Sequence, residues 1–289
     1  MKVSGFTFVR NAVKYDYPVV EAITSILPLC DEFIVCLGKS DDDTEELIKS
    51  IPSGKIKIVS SVWDDSLREG GRVLAVETDK AFDAISPDSN WAFYVQADEI
   101  VHEKYLPVIR QAMEQYCNSN KVDCLVFKYL HFYGNYKYVG NARNWYRREI
   151  RVIKNDKNIR SYRDAQGFRR DGKKLPGKLI DAWIYHYGWV KNPYNQQTKV
   201  QNFVKLYHSD EEMKKMVPQT ALFDYSNVNS LKLFDGSHPK QMQARIAGMD
   251  WDFEFDVTQK RLPLTYRILD FVERLTGKRF FEFRNYKLV

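Results

Sequence analysis

Apolar and polar residues follow one another in a regular order through the first third of the chain. Residues 3–9 are rich in β-branched and aromatic side chains and predict a first strand. Residues 18–29 carry apolar side chains at the period of a helix, with Pro18 in the first turn. Residues 32–37 predict a second, buried strand. Strand, helix and strand in this order predict a βαβ unit, whose parallel strands end at one edge of a sheet.

A polar loop, two helices and a third strand continue this order. Residues 38–44 are polar and precede a short helix predicted over residues 45–50. Residues 55–60 alternate as a third strand, and residues 68–85 predict a longer helix. Up to residue 99 the pattern is therefore that of a doubly wound α/β fold.

The strand predicted over residues 90–99 is the most informative about function. It is mainly apolar and aromatic, as expected for burial on both faces of a parallel sheet, and then ends in Asp98 and Glu99. Ligands of open α/β sheets bind at this edge, and buried carboxylates need partners. A divalent cation is one such partner. The other interpretation is a strand that reaches the surface and ends in solvated acids.

The second half of the chain is less regular. Its pattern predicts strands over residues 124–132, 148–153 and 180–185, and helices over residues 105–116, 196–207 and 264–275. A change to polar, helical sequence predicts a core of residues 1–190 and a mainly helical extension of residues 191–289. The predicted class is α/β, with a mixed, mainly parallel central sheet flanked by helices.

Composition narrows the class of protein. Of the 289 residues 44% are apolar and 28% charged, as in soluble globular proteins, and 14% are aromatic, which is high. Aromatic side chains line sites for flat ligands, although cores use them too. The net charge of +6 is mild. Basic residues recur over residues 143–178, as in a groove for anions or on a solvated face, but nothing indicates a nucleic-acid partner.

The cysteines and the N-terminus bear on the compartment. The four cysteines form no CxxC pair and no zinc-binding spacing, and three lie in apolar surroundings, as reduced, buried thiols do. The first residues show no signal-peptide pattern, and no apolar run reaches about 18 residues. We therefore expect a cytoplasmic protein.

Four stretches on these elements resemble the family 2-like glycosyltransferases of the GT-A fold, of the bacterial cell-surface glycan type. They are Phe-Thr-Phe-Val-Arg-Asn at residues 6–11, Phe-Ile-Val and Ser-Asp-Asp-Asp-Thr at residues 33–35 and 40–44, the helix before the central strand, and Gln-Ala-Asp-Glu at residues 96–99. The resemblance covers roughly residues 1–190. It departs where Cys36, Leu37 and Gly38 replace the usual base-binding Asp, and where Gln96 replaces the first Asp of the metal motif.

The resemblance implies a function. The chain would move a sugar from a nucleotide-diphosphate sugar to a saccharide or lipid-linked acceptor, in an inverting, metal-dependent reaction of cell-surface polysaccharide synthesis. Mn²⁺ or Mg²⁺ would stabilise the leaving diphosphate. The implied metal ligands are Asp98, Glu99 and His186, with a neutral carbonyl oxygen from Gln96. His186 could instead be a structural, hydrogen-bonded residue.

The resemblance also implies the donor-binding and catalytic side chains. Those expected to bind the nucleotide-sugar are Phe6, Arg10, Asn11, Ser40, Asp41, Arg72, Gln96 and Ala97. Arg68 could reach the diphosphate with Arg72, or both could be solvated. The acceptor hydroxyl needs a general base, for which Asp164, in a polar loop, and Glu149 are the candidates. Glu149 could instead pair with neighbouring arginines, and His131 could line the acceptor pocket or pack in the core.

Other classes of function stay open. A nucleotidyltransferase would carry a glycine-rich, basic loop after the first strand, and residues 10–15 have no glycine. A non-catalytic nucleotide- or sugar-binding module is favoured by Gln96 alone. Residues 274–287 mix basic and aromatic side chains. They could rest peripherally on the inner face of an anionic membrane, or pack back onto the domain.

Overall fold

A computed structural model describes residues 1–67, 69–208, 212 and 220–289. The strands in these residues are β1 (Val3–Val9), β2 (Glu32–Gly38), β3 (Ile56–Ser61), β4 (Trp91–Tyr94), β5 (Glu99–Val101), β6 (Cys124–Tyr133), β7 (Asn135–Gly140), β8 (Arg148–Lys154), β9 (Ile159–Tyr162), β10 (Gly167–Arg170), β11 (Lys173–Trp189), β12 (Leu231–Leu233) and β13 (Tyr286–Leu288). The α-helices are α1 (Val19–Ile26), α2 (Thr44–Lys49), α3 (Arg72–Asp83), α4 (Leu106–Gln115), α5 (Pro193–Val204), α6 (Gln243–Ala247) and α7 (Leu264–Thr276). Single 3₁₀ turns are Leu27–Leu29, Glu69–Gly71, Glu103–Tyr105 and Lys240–Met242.

The strands form one mixed sheet in the order β3-β2-β1-β4-β8-β6-β11-β10-β9. The first four are parallel, so that β1 lies between β2 and β4 with Phe6 opposite Ile34 and Tyr94. Strand β8 runs antiparallel to β4 and β6, and β11 returns parallel to β6. The predicted α/β class with a mixed central sheet is confirmed.

Alternation along the parallel strands divides the core into two layers. In β2, Phe33 and Val35 pack in the same cluster as residues of α1 and α4, whereas Ile34 and Cys36 pack in the cluster that contains residues of α3. Successive side chains of a strand point to opposite faces, so a continuous apolar run is what a sheet covered on both sides requires. The helices on both faces leave the carboxyl ends of the strands as the open edge.

Two elements differ from the predicted ones for local reasons. Helix α3 begins at Arg72, because Gly70 and Gly71 adopt positive φ angles of 60° and 70°, which are incompatible with a right-handed helix. Arg68 lies outside the described residues. Strand β11 is far longer than the six residues predicted, since its pairing with β6 continues through two register shifts.

The residues after 190 add both helices and strands to this core. Strand β12 pairs with β7, and β13 pairs with β11. The boundary near residue 190 stays a prediction. Within the described residues, no helix is long and apolar enough to cross a membrane.

Candidate active site

A pocket of about 530 Å³ lies at the carboxyl ends of β1 and β4. Its walls come from the end of β1, the loop between β4 and β5, the end of β11 and helix α5. Of the predicted site residues it is lined by Arg10, Gln96, Ala97, Asp98, Asp164 and His186. The volume suits a small-molecule ligand, and the position is the one where open α/β sheets bind theirs.

Strand pairing brings Asp98 and His186 together at one end of this pocket. Strand β5 lies antiparallel to β11, with Glu99 opposite His186, and the Tyr187 amide donates to the Asp98 carbonyl over 2.9 Å. The His186 Nε2 atom is then 3.6 Å from Asp98 Oδ1. Gly188 is required beside them, since a Cβ there would lie 2.7 Å from His186 Nε2 and 2.8 Å from Asp98 Oδ2. Because Gly188 has no side chain, a small space, here called the Gly188 cradle, stays open between the Asp98 carboxylate and the His186 ring.

A relay of hydrogen bonds sets the tautomer of His186. The Tyr146 carbonyl can only accept, so it takes the proton of His131 Nε2 at 2.7 Å. Burial, and then the neighbouring His186, lower the pKa of His131 to about 3, so its ring is neutral and its Nδ1 is an acceptor. His186 Nδ1 therefore donates to His131 Nδ1 over 3.1 Å. Because burial also lowers the pKa of His186, its Nε2 carries a lone pair towards Asp98.

Positive charge surrounds Asp98. The Lys199 ammonium, on α5, donates to Asp98 Oδ2 over 3.1 Å and to the Gly188 carbonyl over 2.9 Å. Burial opposes ionisation of Asp98, but Lys199 and the other nearby cations outweigh it and hold its pKa well below the usual range. Behind them, burial and then Lys199 lower the pKa of the fully buried Lys191 to about 7. This end of the pocket is built for an anion.

The donor set at this end also fits a hard divalent cation. Asp98 offers a carboxylate oxygen and His186 a bare ring nitrogen, and the Gly188 cradle lies between them. Within the described residues no three His, Cys, Asp or Glu side chains converge as a metal site. Asp98 and His186 would be two ligands from the protein, and Mg²⁺ sites commonly take the rest from substrate phosphates and water.

Glu99, the third predicted ligand, is turned away from the pocket into the core. Both of its oxygens are 2.6 Å from the Arg151 guanidinium, and the Tyr129 hydroxyl donates to Oε1 over 2.8 Å. The Glu99 and Arg151 side chains are almost completely buried. A carboxylate already held by a bidentate arginine has no oxygen to spare for a metal. We therefore replace the predicted three-ligand set with Asp98 and His186.

The opposite end of the pocket combines an aromatic ring with a cation and a carboxylate. The Arg10 guanidinium stacks 4.4 Å from the centre of the Trp63 ring and lies 3.2 Å from Asp65 Oδ1. Trp63 Nε1 is buried and has no hydrogen-bond partner among the described residues. It lies against Gly38, where a Cβ would be 2.4 Å away. A flat ring that offers an acceptor to Arg10 suits this end, because Trp63 Nε1 is directed at Gly38 and not at the pocket.

The two candidate bases occupy different environments. Asp164 lines the pocket, where the Tyr207 hydroxyl donates to its Oδ2 over 2.9 Å and Gln166 donates to its Oδ1 over 3.0 Å. Glu149 is buried away from the pocket and accepts from Asn285 over 2.7 Å. It has no path to an acceptor hydroxyl, because its strand position turns it towards β13. Asp164 is the remaining candidate.

The other predicted donor-binding residues support the pocket from behind or lie apart from it. Phe6 is fully buried against Tyr94, because the pleat of β1 turns it into the core. Asn11 accepts from the Asp41 amide, and Ser40 accepts from the Asn11 amide, so these three tie two loops together. Asp41 pairs with Lys14 at the surface, and Arg72 is exposed. None of the five lines the pocket.

Several lining residues carried no usable signal in the sequence. Lys199 and Tyr207 lie in a polar predicted helix that carries no motif, and Trp63 lies in a loop that the periodicity does not order. His131, a candidate for the acceptor pocket, lies behind the lining instead, where β6 and β11 pair it in register with His186.

Comparisons with known proteins agree with the fold. No protein-family model and no curated protein sequence matches the chain. The crystal structure of S. aureus TarS is 14% identical, with a TM-score of 0.41, over 71% of this chain and 39% of that one. Glucosyl-3-phosphoglycerate synthase from Mycobacterium tuberculosis, solved with Mn²⁺, uridine-diphosphate and phosphoglyceric acid, is 23% identical, with a TM-score of 0.30, over 45% and 43%. The 4-diphosphocytidyl-2C-methyl-D-erythritolsynthase from Anaerococcus prevotii DSM 20548 is 13% identical, with a TM-score of 0.34, over 53% and 70%.

These likenesses concern the fold alone. The chain spans less than half the length of the first two of these proteins, at low identity, so no activity, ligand or residue role passes from them to this chain. The solved structures have GT-A-like glycosyltransferase or nucleotidyltransferase folds. The GT-A type of fold stays an expectation from the sequence, and the structure itself shows parallel strands β3-β2-β1-β4 beside the antiparallel β8.

Proposed function

We propose that this chain transfers a glycosyl group from a nucleotide-diphosphate sugar to a hydroxyl of a saccharide or lipid-linked acceptor, in the synthesis of cell-surface polysaccharide. One observation carries the proposal. Asp98 Oδ1, the bare Nε2 of His186 and the Lys199 ammonium converge at one end of a single pocket, and Trp63 stacked with Arg10 forms the other end. The first end suits a diphosphate and the second a nucleobase.

The charged end would hold the diphosphate. Asp98 and His186 would bind a divalent cation such as Mn²⁺ or Mg²⁺, which when present supplies a Lewis acid to the leaving diphosphate. Lys199 provides a second positive charge beside Asp98, and α5, which carries it, forms a wall of the pocket. Such fixed charges stabilise the negative charge that develops on the leaving group.

The transfer needs a base, and Asp164 would serve. The acceptor oxygen attacks the anomeric carbon while the bond from that carbon to the diphosphate oxygen breaks, and its electron pair leaves with the nucleoside diphosphate. The proton of the acceptor hydroxyl passes to a carboxylate oxygen of Asp164. Tyr207 and Gln166 each donate to a different oxygen of Asp164, which fixes its orientation in the pocket. A single displacement of this kind inverts the anomeric centre.

Nucleotide binding by wild type and Asp98→Asn tests the proposal. UDP, GDP, CMP and dTDP ligands would each be added with Mn²⁺, Mg²⁺ or EDTA, and the melting temperature measured. A ligand at about a hundred times its Kd adds roughly 2.7 kcal/mol to the free energy of unfolding. We expect one nucleotide class to stabilise the wild type and to lose that effect in Asp98→Asn. Asp41→Asn is the matched control, because Asp41 is an exposed carboxylate outside the pocket.

Product analysis separates the remaining classes of function. With the stabilising nucleotide-sugar and an acceptor, the wild type should release nucleoside diphosphate, and Asp164→Asn should bind the donor but transfer about a hundredfold or more slowly. Release of inorganic pyrophosphate would indicate a nucleotidyltransferase. Binding without turnover by the wild type would indicate a binding module. Equal stabilisation of wild type and Asp98→Asn would contradict the proposed diphosphate site.

A further inference from the structure

Helix α7 presents its apolar side to solvent. Leu264, Ile268, Phe271 and Leu275 are spaced four, three and four residues apart, so they form one stripe along the helix. Their exposed fractions are 69%, 54%, 61% and 71%. None of the residues of α7 is buried. A surface helix normally turns such a stripe to the core.

The charged side of α7 faces the protein instead. Arg143, in the loop between β7 and β8, lies 3.6 Å from Asp270 and also pairs with Glu273. Arg147 lies 3.1 Å from Glu273. These pairs are made with two acids that lie on the side of the helix opposite the apolar stripe. The helix is therefore attached through its polar face, and this attachment holds the apolar stripe outward.

The chain after α7 extends the same chemistry. Phe280, Phe281 and Phe283 are exposed by 45%, 92% and 57%. Between them the Phe280 carbonyl accepts from Arg143 and Glu282 pairs with Arg147, and after them Asn285 and Tyr286 are buried and β13 joins the sheet. Both ends of the segment are thus anchored, while its apolar side chains stay outside. We call the stripe of α7 and these three phenylalanines the C-terminal surface.

Basic residues border the C-terminal surface. Residues 260–289 hold eight lysines and arginines and three acids, a net charge of +5 where the whole chain carries +6. Arg267 and Arg274 lie four residues before and three residues after Phe271, beside the stripe, and with Lys260 they line a shallow groove. Long basic side chains next to an apolar stripe can reach anionic headgroups while the stripe enters the acyl region.

We propose that the C-terminal surface docks the protein on an anionic lipid bilayer, with α7 lying in the plane of the interface. The charge selects this occupant. A second copy of the chain would bring the same positive charge against itself in a two-fold contact, which repels, whereas anionic lipids complement it. The helix is short and amphipathic, so it would lie on the membrane without crossing it. The proposal is independent of the reaction in the pocket.

Vesicle flotation of the full chain tests the proposal. Vesicles of equal parts phosphatidylcholine and phosphatidylglycerol are compared with vesicles of phosphatidylcholine alone. The wild type should float with the anionic vesicles and release at high salt. Ile268→Ser/Phe271→Ser should lower the partition coefficient roughly a hundredfold, because two large apolar side chains no longer enter the bilayer. Arg267→Gln/Arg274→Gln should lower it roughly fivefold for each charge removed.

Leu222→Ser/Leu233→Ser is the matched control, since both leucines are as exposed as the stripe but lie outside it. It should float like the wild type, and the melting temperatures of all variants should agree. Failure of the wild type to bind anionic vesicles would overturn the proposal, as would equal binding by Ile268→Ser/Phe271→Ser. Dimerisation in light scattering that requires Ile268 and Phe271, without vesicle binding, would assign the surface to a second copy.

Discussion

The pocket and the C-terminal surface break the usual rule of burial in opposite directions. At the pocket, charged groups are buried: Glu99 and Arg151 are almost completely covered, and Asp98 is only 7% exposed. At the C-terminal surface, four large apolar side chains of one helix are more than half exposed. Single exposed apolar residues need no explanation, but a buried charge or a continuous apolar patch does.

The difference lies in what compensates each exception. Inside the protein the compensation is complete for Glu99, which has a bidentate arginine and a tyrosine hydroxyl, so it has a structural role. For Asp98 the compensation involves one oxygen: Lys199 pairs with Oδ2, whereas Oδ1 faces the bare Nε2 of His186. On α7 no described residue covers the apolar stripe. A buried charge or an exposed apolar patch that no residue of the protein compensates therefore indicates where the protein binds a ligand or docks on a membrane.

The largest effect is expected from breaking the compensated pair. Glu99→Leu or Arg151→Met leaves one buried charge without its partner, which typically costs about 3–5 kcal/mol of folding free energy. The double variant removes both charges and should be less destabilised than the sum of the single variants. Urea denaturation of the three variants measures this. Glu45→Gln, which breaks the exposed Glu45–Lys49 pair, is the control and should behave as the wild type.

If either single variant unfolds like the wild type, Glu99 is not a structural carboxylate, and its exclusion from the metal set fails. If instead both single variants are destabilised but the double variant is worse than their sum, the two residues contribute through packing and not through their charges.

A smaller effect is expected from Glu149, a buried carboxylate with an intermediate degree of compensation. Burial raises its pKa to about 7, against the opposing influence of Arg151, Asn285 and Arg169. Between pH 4.5 and about 7 the folded chain then holds a proton that the unfolded chain has lost. The free energy of unfolding should therefore fall as pH rises through this window, by up to about 3 kcal/mol.

Glu149→Gln removes this titration and isolates its contribution. Urea denaturation at about pH 4 and about pH 8 should show the variant gaining stability relative to the wild type as pH rises. A difference between the two proteins that does not change with pH would mean that Glu149 has the same pKa in the folded and unfolded chains, and that Arg151, Asn285 and Arg169 fully offset its burial.

The sequence predicted the fold best in the parallel part of the sheet, where the strands are buried on both faces. In β1, β2 and β4 most residues are apolar and nearly all are buried, as in a sheet that is covered on both faces. The family resemblance assigned Phe6 to donor binding, but the pleat of β1 turns this side chain into the core. For β11 the pattern showed only the central part, because its first residues pair at the edge of the sheet and are half exposed.

Most of the pocket residues that the sequence predicted come directly after an apolar run. Asp98 and His186, which line the pocket, were predicted because each follows an apolar run in the sequence. Glu99 follows Asp98 directly, and adjacent residues point in different directions, so only the position of Arg151 on β8 decides its role. Lys199 and Trp63 reach the pocket from elements whose placement depends on tertiary packing.

The smallest change in the free energy of unfolding is expected at the C-terminal surface. It is also the most direct test of the contrast between this surface and the pocket. If the charged side attaches α7, Glu273→Gln should cost about 1–2 kcal/mol, because it weakens the pairing with Arg143 and Arg147. Ile268→Ser/Phe271→Ser should change the free energy of unfolding by no more than about 0.5 kcal/mol, since both side chains are exposed in the folded and unfolded chain. Denaturation without vesicles measures both. The reverse order, a costly apolar change and a neutral Glu273→Gln, would mean that the stripe packs against the protein in solution, and the contrast between the two regions would disappear.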